Sequence, residues 1–476
     1  MAFNSFNFLI FFPVFFAIYF LLSHKFRWIF LLIGSIVFYS FFSVYGLILF
    51  AAVILFNYFS GIAIEKSPDN KLPLFVALIF NIGWLVLFKY FNFFNSNLTE
   101  LLSYIGVNNP LPFLNWILPA GISYYIFQAI GYNVDISNEL QPAEKHLGKF
   151  ATCFLFFPKV ALGPVERPRN LLPQINQQHD FNYDRITSGL KLFAWGLFKK
   201  VVIADRLSIL VAHVYSDTTS YSGFILILTA VFYTFQLYAD FSGYTDMALG
   251  IAEALGFKLM KNFNRPFAST SITEFWQRWH ISFSTWLYEY LYNPISLIKR
   301  SWGKWGMVYA IMITFTLCGL WHGVGWVFLV WGIINGMILS YEVLTIKFRK
   351  NLSKKINPHL FKILCWIITF SVLCLSSAFS HCKSLSEGIY FVTHVFNIPS
   401  GNSHIFKLGL DPLNYMIIIA AVIVMESVQY FQSKGSVRQL INSKHWVIRW
   451  SLYFGILIVI LFFGEYDNRQ FIYFQF

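Results

Sequence analysis

One histidine lies among three glycines, between two apolar stretches, in residues 319–326 (GLWHGVGW). Glycines allow the backbone to bend and a substrate to approach closely, and burial keeps an imidazole uncharged. A neutral imidazole at a bend between two helices, here His322, is placed to act as a general base. A histidine that bonds a backbone carbonyl at a helix break would show the same pattern, so the spacing alone leaves both interpretations open.

A second histidine, His280, ends a tryptophan-rich stretch (276–280, WQRWH) in a basic region. Upstream lie Asn264, within NFNRPF (262–267), and a run of Ser and Thr that can cap a short helix. The polar and aromatic side chains on or beside that helix are Glu274, Trp276, Arg278 and Trp279. They fit a substrate-binding wall, and they fit equally an anchor for lipid headgroups.

Polar residues inside apolar segments are costly, so each is a candidate for function. Asp240 and Asp246 lie six residues apart in an otherwise apolar stretch. They can form a proton relay, a cation site or a structural network. Cys318 precedes His322 by four residues, so the two would share a helix face. A Cys–His pair can serve as an acyl relay, although a buried cysteine is commonly an apolar filler.

The composition indicates an integral membrane protein. Of 476 residues, 57% are hydrophobic and only 12% are charged, about half the charged share of a soluble protein. The net charge of +13 comes from basic clusters between apolar runs, which is typical of cytoplasmic loops. We therefore expect membrane lipids and no nucleic acid as partners. The five cysteines show no CxxC spacing, so no metal site is indicated.

Apolar stretches long enough to cross a bilayer predict an all-α, multi-pass protein of about 11–13 spans, forming a single membrane domain over 1–476. The candidate spans are 8–22, 28–45, 47–64, 73–94, 117–134, 187–213, 222–240, 306–321, 324–342, 360–380, 413–432 and 448–464. Interrupted apolar stretches near 150–163, 191–206 and 240–295 are candidates for re-entrant or interfacial helices. Basic loops at 24–27, 65–71 and 258–304 are expected in the cytoplasm, with the N-terminus outside.

The sequence lacks three common motifs: the G-x-S-x-G turn, the G-x-x-x-x-G-K-[ST] phosphate loop and the H-E-x-x-H metal helix. Serine hydrolysis, ATP-driven transport and zinc proteolysis therefore lose their usual signatures. Histidine-based membrane chemistry remains, as does passive or ion-coupled transport.

Several segments, taken in order, resemble the membrane-bound O-acyltransferase family. They are FFPKVALGPVERPRNLLPQ (156–174), DFSGYTDMALGIAEALGF (240–257), NFNRPFASTSITEFWQRWHISFSTWLYEYLY (262–292), CGLWHGVGWVFLVWG (318–332) and FIYFQF (471–476). The similarity covers the chain from about 115 onward, with the motif-bearing core at about 115–345. Within that family the sequence most resembles the bacterial branch that contains the membrane subunit of alginate O-acetyltransferase. The D-alanyl transferases of teichoic acids are more distant.

The resemblance implies that His322 is the catalytic histidine and His280 a second functional position. It also implies a ring of helices around a central tunnel, in the bacterial cytoplasmic (inner) membrane. A thioester donor, acyl-coenzyme A or acyl carrier protein, would arrive from the cytosol, with no tightly bound cofactor. The acceptor, or an extracytoplasmic acetyltransferase or glycan-binding partner, would meet the enzyme on the opposite side.

The chain departs from the family pattern in one loop. Tyr288 and Glu289 stand where an Arg-Asp pair is expected, and residues 293–296 (NPIS) replace a Gly-Gly turn. That loop is a candidate contact for the acyl donor, the carrier or a partner. The departures therefore leave the identity of the acceptor open, and they do not affect the resemblance to acyltransferases.

The expected reaction is transfer of an acyl group, most simply acetyl, to a hydroxyl of an extracytoplasmic glycan. His322 would remove the hydroxyl proton, and His280 would hold the donor or carry a second proton. Candidate donors to the oxyanion are Trp321, Asn264 and the backbone N–H of Gly323. A lipid or protein hydroxyl is an alternative acceptor. An ion-coupled transporter built on the two aspartates is a further alternative, but the sequence shows no paired repeats.

Overall fold

The computed structural model describes residues 1–116, 118–397, 408–466 and 471–472. These residues contain helices and connecting turns, and no strand occurs among them. The predicted all-α class is therefore confirmed. Of the C-terminal motif at 471–476, residues 473–476 lie outside the described part of the chain.

The described residues form two compact units. The first comprises Met1–Gly189 and Ala248–Met260, and the second comprises Leu190–Met247 and Lys261–Phe476. The helices that begin in the first unit are α1 (Phe6–Leu21), α2 (His24–Ser40), α3 (Val44–Lys66), α4 (Leu72–Leu85), α5 (Phe91–Tyr104), α6 (Ile122–Ser137), α7 (Leu147–Leu155), α8 (Pro168–Asn176) and α9 (Tyr183–Phe198). The prediction of a single membrane domain stays a prediction.

The helices that begin in the second unit are α10 (Asp205–Ser216), α11 (Phe224–Leu255), α12 (Ile272–Arg278), α13 (Ile281–Leu287), α14 (Asn293–Ile298), α15 (Lys304–His322), α16 (Trp326–Leu344), α17 (Ile346–Ser353), α18 (Pro358–His381), α19 (Leu385–His394), α20 (Pro412–Gln432), α21 (Val437–Asn442) and α22 (Trp446–Phe463). Among the described residues, Val86–Tyr90, Lys199–Ala204 and Tyr288–Tyr292 are π-helical. Thr218–Ser220, Pro266–Ala268 and Arg300–Trp302 are short 3₁₀ turns.

Eight helical stretches of the described chain are long and apolar enough to cross a membrane. They are Val44–Lys66, Leu72–Tyr104, Phe224–Leu255, Lys304–His322, Trp326–Leu344, Pro358–His381, Pro412–Gln432 and Trp446–Phe463. Helix α1 is also apolar but has only 16 residues. Because a helix satisfies its own backbone polar groups, it is the form in which such segments can enter lipid.

Some predicted spans are shorter or interrupted. The stretches 28–45 and 117–134 correspond to α2 and α6, which have 17 and 16 residues; residue 117 itself lies outside the described part. The stretch 187–213 is divided into α9, a π-helical segment and α10. The interruption falls where Lys199 and Lys200 are buried, and such widened turns are frequent at functional sites.

Helices α15 and α16 form a closely packed hairpin. A Cβ atom at Gly319 would overlap the carbonyl oxygen of Phe328, and one at Gly332 would overlap the carbonyl oxygen of Phe315. Only glycine lets two helix backbones come this close. The crossing therefore fixes the end of α15 against the start of α16.

Candidate active site

His322 is the last residue of α15, and α16 begins four residues later at Trp326. The turn between them contains Gly325, whose φ of 149° lies in a region that favours glycine. The bend that the glycine spacing predicted is therefore present. It leaves the imidazole at a helix end, half-buried.

His322 lines a cavity whose lining residues all belong to the second unit. The aromatic part of the wall includes Phe267, Phe275, Trp276, Trp279, Phe328 and Trp331. The polar part consists of Thr234, Asn335, Ser376, Ser377 and Ser380. A mostly apolar cavity with a few grouped polar side chains is typical of a small-molecule site.

The imidazole of His322 is surrounded by aromatic rings. Its centroid lies 5.0 Å from that of Trp331 and 4.8 Å from that of Trp321, each in an edge-on arrangement. The ring of Phe283 lies 5.9 Å away. Such walls exclude water, which limits hydrolysis of a reactive thioester.

His280 occupies the turn between α12 and α13, in the left-handed backbone region with φ 44°. It is fully buried. Burial, with a smaller contribution from His322, lowers the pKa of His280 well below its ordinary value. A non-glycine residue held in this region stores strain, which is characteristic of functional sites.

The two histidines contact the same pair of aromatic rings. Phe283 and Trp321 stack at 4.1 Å, and the His280 ring lies 5.0 Å from Phe283 and 6.0 Å from Trp321. The structure thus brings together His280, Trp321 and His322. Only His322 among these three lines the cavity.

Asn262 holds the His280 turn in place. Its side-chain oxygen accepts hydrogen bonds from the Ser282 hydroxyl at 2.5 Å and from the Ser282 N–H at 3.3 Å. Its carbonyl oxygen accepts from the N–H of Ile281 at 2.9 Å. The sequence analysis named Asn264 as a candidate oxyanion donor. The Asn264 side chain is exposed and lies outside the cavity lining. The geometry therefore does not support Asn264 as an oxyanion donor.

Glu342 of α16 caps the start of α12. Its carboxylate accepts from the N–H of Ile272 at 2.9 Å, from the N–H of Thr273 at 3.0 Å and from the Thr273 hydroxyl at 2.6 Å. An acidic group is favourable at a helix N-terminus. The sequence analysis missed this residue, and the available signal was a single acidic residue in an apolar helix.

The other residues predicted around His280 divide into two groups. Trp279 lines the cavity. Glu274 and Arg278 form an ion pair at 2.7 Å, one helical turn apart and partly exposed, and neither lines the cavity. Such a pair contributes little to stability, and its position is compatible with the predicted headgroup anchor.

Asp240 and Asp246 belong to a buried ionic cluster. Lys200 Nζ lies 2.8 Å from both Asp240 and Asp205, and Lys199 Nζ lies 2.7 Å from Asp246. Burial alone would lower the pKa of Lys200, but the two carboxylates together raise it. Carboxylates already paired with ammonium groups form a structural network. The use of these aspartates as a cation site or a proton relay stays a prediction.

Cys318 is fully buried and is not among the residues that line the cavity. The geometry gives no support to a Cys–His acyl relay.

Two indole groups in the cavity wall have buried N–H donors. The Nε1 atoms of Trp276 and Trp331 have no acceptor in the described part of the chain. Leaving a buried donor unpaired costs about 1–3 kcal/mol. The sequence analysis included Trp276 only as a wall or anchor, and it missed Trp331 because nothing in a helical apolar run distinguishes one tryptophan from another.

The family model and the individual relatives of this chain indicate the same family. The model of the membrane-bound O-acyltransferase family matches residues 137–382. The chain is 35% identical over 431 residues to the probable alginate O-acetylase AlgI of Pseudomonas aeruginosa, covering 89% of this chain and 81% of the relative. It is 33% identical over 416 residues to the peptidoglycan O-acetyltransferase of Helicobacter pylori, covering 80% and 76%.

A more distant relative is the teichoic acid D-alanyltransferase of Bacillus subtilis, 26% identical over 267 residues, or 55% of this chain and 68% of the relative. The family match contains His280, His322 and all of the residues that line the cavity. The order and length of these similarities, together with the apolar helices, identify this multi-pass membrane protein as a member of the membrane-bound O-acyltransferase family.

Proposed function

We propose that this O-acyltransferase moves an acetyl group from a cytosolic thioester to a hydroxyl of an extracytoplasmic cell-surface polysaccharide. The observation that carries the proposal is the position of His322, which lies at a helix end and lines an aromatic cavity. Two relatives add support, since they are named for alginate and peptidoglycan, which are both polysaccharides outside the cytoplasm.

The reaction requires a base. A sugar hydroxyl is a poor nucleophile until its proton is removed, and a well-placed base contributes about 10²–10⁴-fold. A ring nitrogen of His322 takes the proton as the hydroxyl oxygen attacks the thioester carbonyl carbon. When the C–S bond breaks, the imidazolium gives this proton to the departing thiolate. The products are an ester and a thiol.

The polar part of the cavity suits a hydroxylated acceptor. The Asn335 amide donates to the Ser376 hydroxyl at 3.1 Å and to the carbonyl oxygen of Trp331 at 2.9 Å. Ser377 and Ser380 also line this cavity. Side chains of this kind can both donate to and accept from sugar hydroxyls.

His280 acts in this proposal as a positioning residue. It lies outside the cavity lining but contacts Phe283 and Trp321, the rings that also contact His322. A buried, neutral imidazole in a strained turn holds these rings in one arrangement. This role replaces direct contact of His280 with the donor.

The location and partners are also proposals. We place the chain in the bacterial cytoplasmic membrane, with acyl-coenzyme A or an acyl carrier protein as the cytosolic donor. An extracytoplasmic acetyltransferase or glycan-binding protein would receive or direct the acetyl group. The basic loop at 258–304 supports a cytosolic side for the donor.

The test is the acetyl-ester content of the surface glycan in strains that carry His322→Ala, with membrane levels of the protein checked. We expect ester to fall by at least 10²-fold. His359→Ala is the matched control, because that histidine is exposed at the start of α18. Full ester content in His322→Ala would refute the assignment. Ester lost from the lipid or protein fraction would instead identify the alternative acceptor.

A further inference from the structure

We infer that the indole N–H groups of Trp331 and Trp276 bind the thioester carbonyl oxygen while it carries negative charge during transfer at His322. The inference rests on the proposed acyl transfer and assigns two of its catalytic residues. Both indoles line the cavity that His322 lines.

Both donors are buried without an acceptor within the described residues. Trp276 is only 8% exposed. By contrast, the indole N–H of Trp366 does have an acceptor: its Nε1 donates to the carbonyl oxygen of Phe267 at 2.8 Å. Buried polar groups normally have partners, and an exception calls for an explanation. A substrate oxygen that occupies the cavity would supply the missing acceptor.

The positions of the rings agree with this role. The Trp331 ring lies 5.0 Å from the His322 ring, and the Trp276 ring lies 6.2 Å from the Trp331 ring. The base and the two donors thus belong to neighbouring rings of the cavity lining. Acyl transfer needs this arrangement, because the carbon under attack must lie near both the base and the oxyanion donors.

The chemistry of an indole favours the carbonyl oxygen over the attacking hydroxyl. An indole N–H donates and cannot accept. A donor on the hydroxyl oxygen would draw electron density from the nucleophile that His322 is meant to activate. On the carbonyl oxygen the same donor stabilises charge only as the charge develops, which is the condition for lowering a barrier.

The hydroxyl oxygen forms a bond to the carbonyl carbon, its proton passes to His322, and the carbonyl π pair moves to the oxygen that Trp331 and Trp276 hold. That pair then returns, the C–S bond breaks, and the thiolate takes the proton from His322.

The experiment uses the full chain in cells and measures the initial rate of glycan acetyl-ester formation per membrane-inserted molecule after induction. Trp331→Phe keeps an aromatic ring and removes the donor. We expect a rate loss of about 10²-fold or more, as for other single oxyanion donors. Trp276→Phe should also lower the rate of ester formation. This variant provides the test if Trp331→Phe fails to reach the membrane. Trp305→Phe, at an exposed position on α15, is the matched control.

Two failures can be told apart. If wild type and Trp305→Phe form no glycan ester, the proposed function is wrong. If they form ester and the phenylalanine variants of both cavity tryptophans match them per molecule, the inference alone is wrong. A fall in membrane level with an unchanged rate per molecule would also overturn it, since that is the signature of a structural role.

Discussion

Replacing Glu342 with alanine removes the carboxylate that joins the start of α12 to α16. The carboxylate accepts from two backbone N–H groups, of Ile272 and Thr273, and from the Thr273 hydroxyl. It is buried, with 8% of the residue exposed. Helix α12 carries Phe275 and Trp276, which line the cavity, so the contact fixes a section of the cavity wall.

These hydrogen bonds set the free energy that the substitution removes. A hydrogen bond to a charged acceptor contributes about 1.5–3 kcal/mol, so the two backbone bonds give about 3–6 kcal/mol for local opening at the start of α12. Water can reach part of this helix end, so we adopt the lower limit of about 3 kcal/mol. Because about 1.4 kcal/mol is a factor of ten, amide exchange at residues 272–273 should accelerate about 10²-fold in Glu342→Ala.

Hydrogen exchange followed by mass spectrometry on peptides that cover 270–279, in detergent, checks this value. Glu342→Gln retains one oxygen acceptor and should give an intermediate result. Arg349→Ala is the control: its guanidinium lies 3.5 Å from Glu342 and is partly exposed, so its removal should change exchange little. Unchanged exchange at 272–273 in Glu342→Ala would refute the claim that this carboxylate holds α12.

Two further predictions concern His280 and the helix hairpin. The pKa of buried His280 lies below its unfolded value of about 6.5, so the folded state binds fewer protons. Its contribution to stability is complete above pH 6.5 and is lost as pH falls, by up to about 1.4 kcal/mol per pH unit. Thermal unfolding in detergent should therefore lose more stability between pH 7 and 5 in wild type than in His280→Asn, and coincident profiles would contradict this. Gly332→Ala should lower the thermal stability, because the new Cβ would overlap the Phe315 carbonyl; Gly455→Ala, which meets open space, should not, and equal stability of the two variants would contradict the close crossing.

Local signals in the sequence predicted part of the site. The glycines around His322 indicate a bend, and the bend lies between α15 and α16. The apolar runs indicate spans, and long apolar helices are found at most of them. These features depend on residues close together in the chain, so periodicity and spacing can reveal them.

Contacts between distant segments were not predictable in the same way. Glu342 caps a helix 70 residues earlier, and Lys200 pairs with Asp240 40 residues later. The sequence analysis left the role of Asp240 open and did not consider Glu342, because nothing local tells a paired carboxylate from a free one. Asn264 was chosen over Asn262 although both lie in one motif, since only the folded turn shows which amide faces inward.

The buried ionic cluster has a consequence for the order in which the chain enters the membrane. Lys199, Lys200 and Asp205 leave the ribosome before α11 exists. A charged residue at the centre of an inserting helix costs about 2.5–3.5 kcal/mol, so the stretch from α9 to α10 is a poor substrate for the translocon on its own. Asp205 can pair with Lys200 within this stretch, but the carboxylates of Asp240 and Asp246 arrive only with α11. We therefore expect stable membrane insertion of this stretch to require α11, which brings the carboxylates of Asp240 and Asp246.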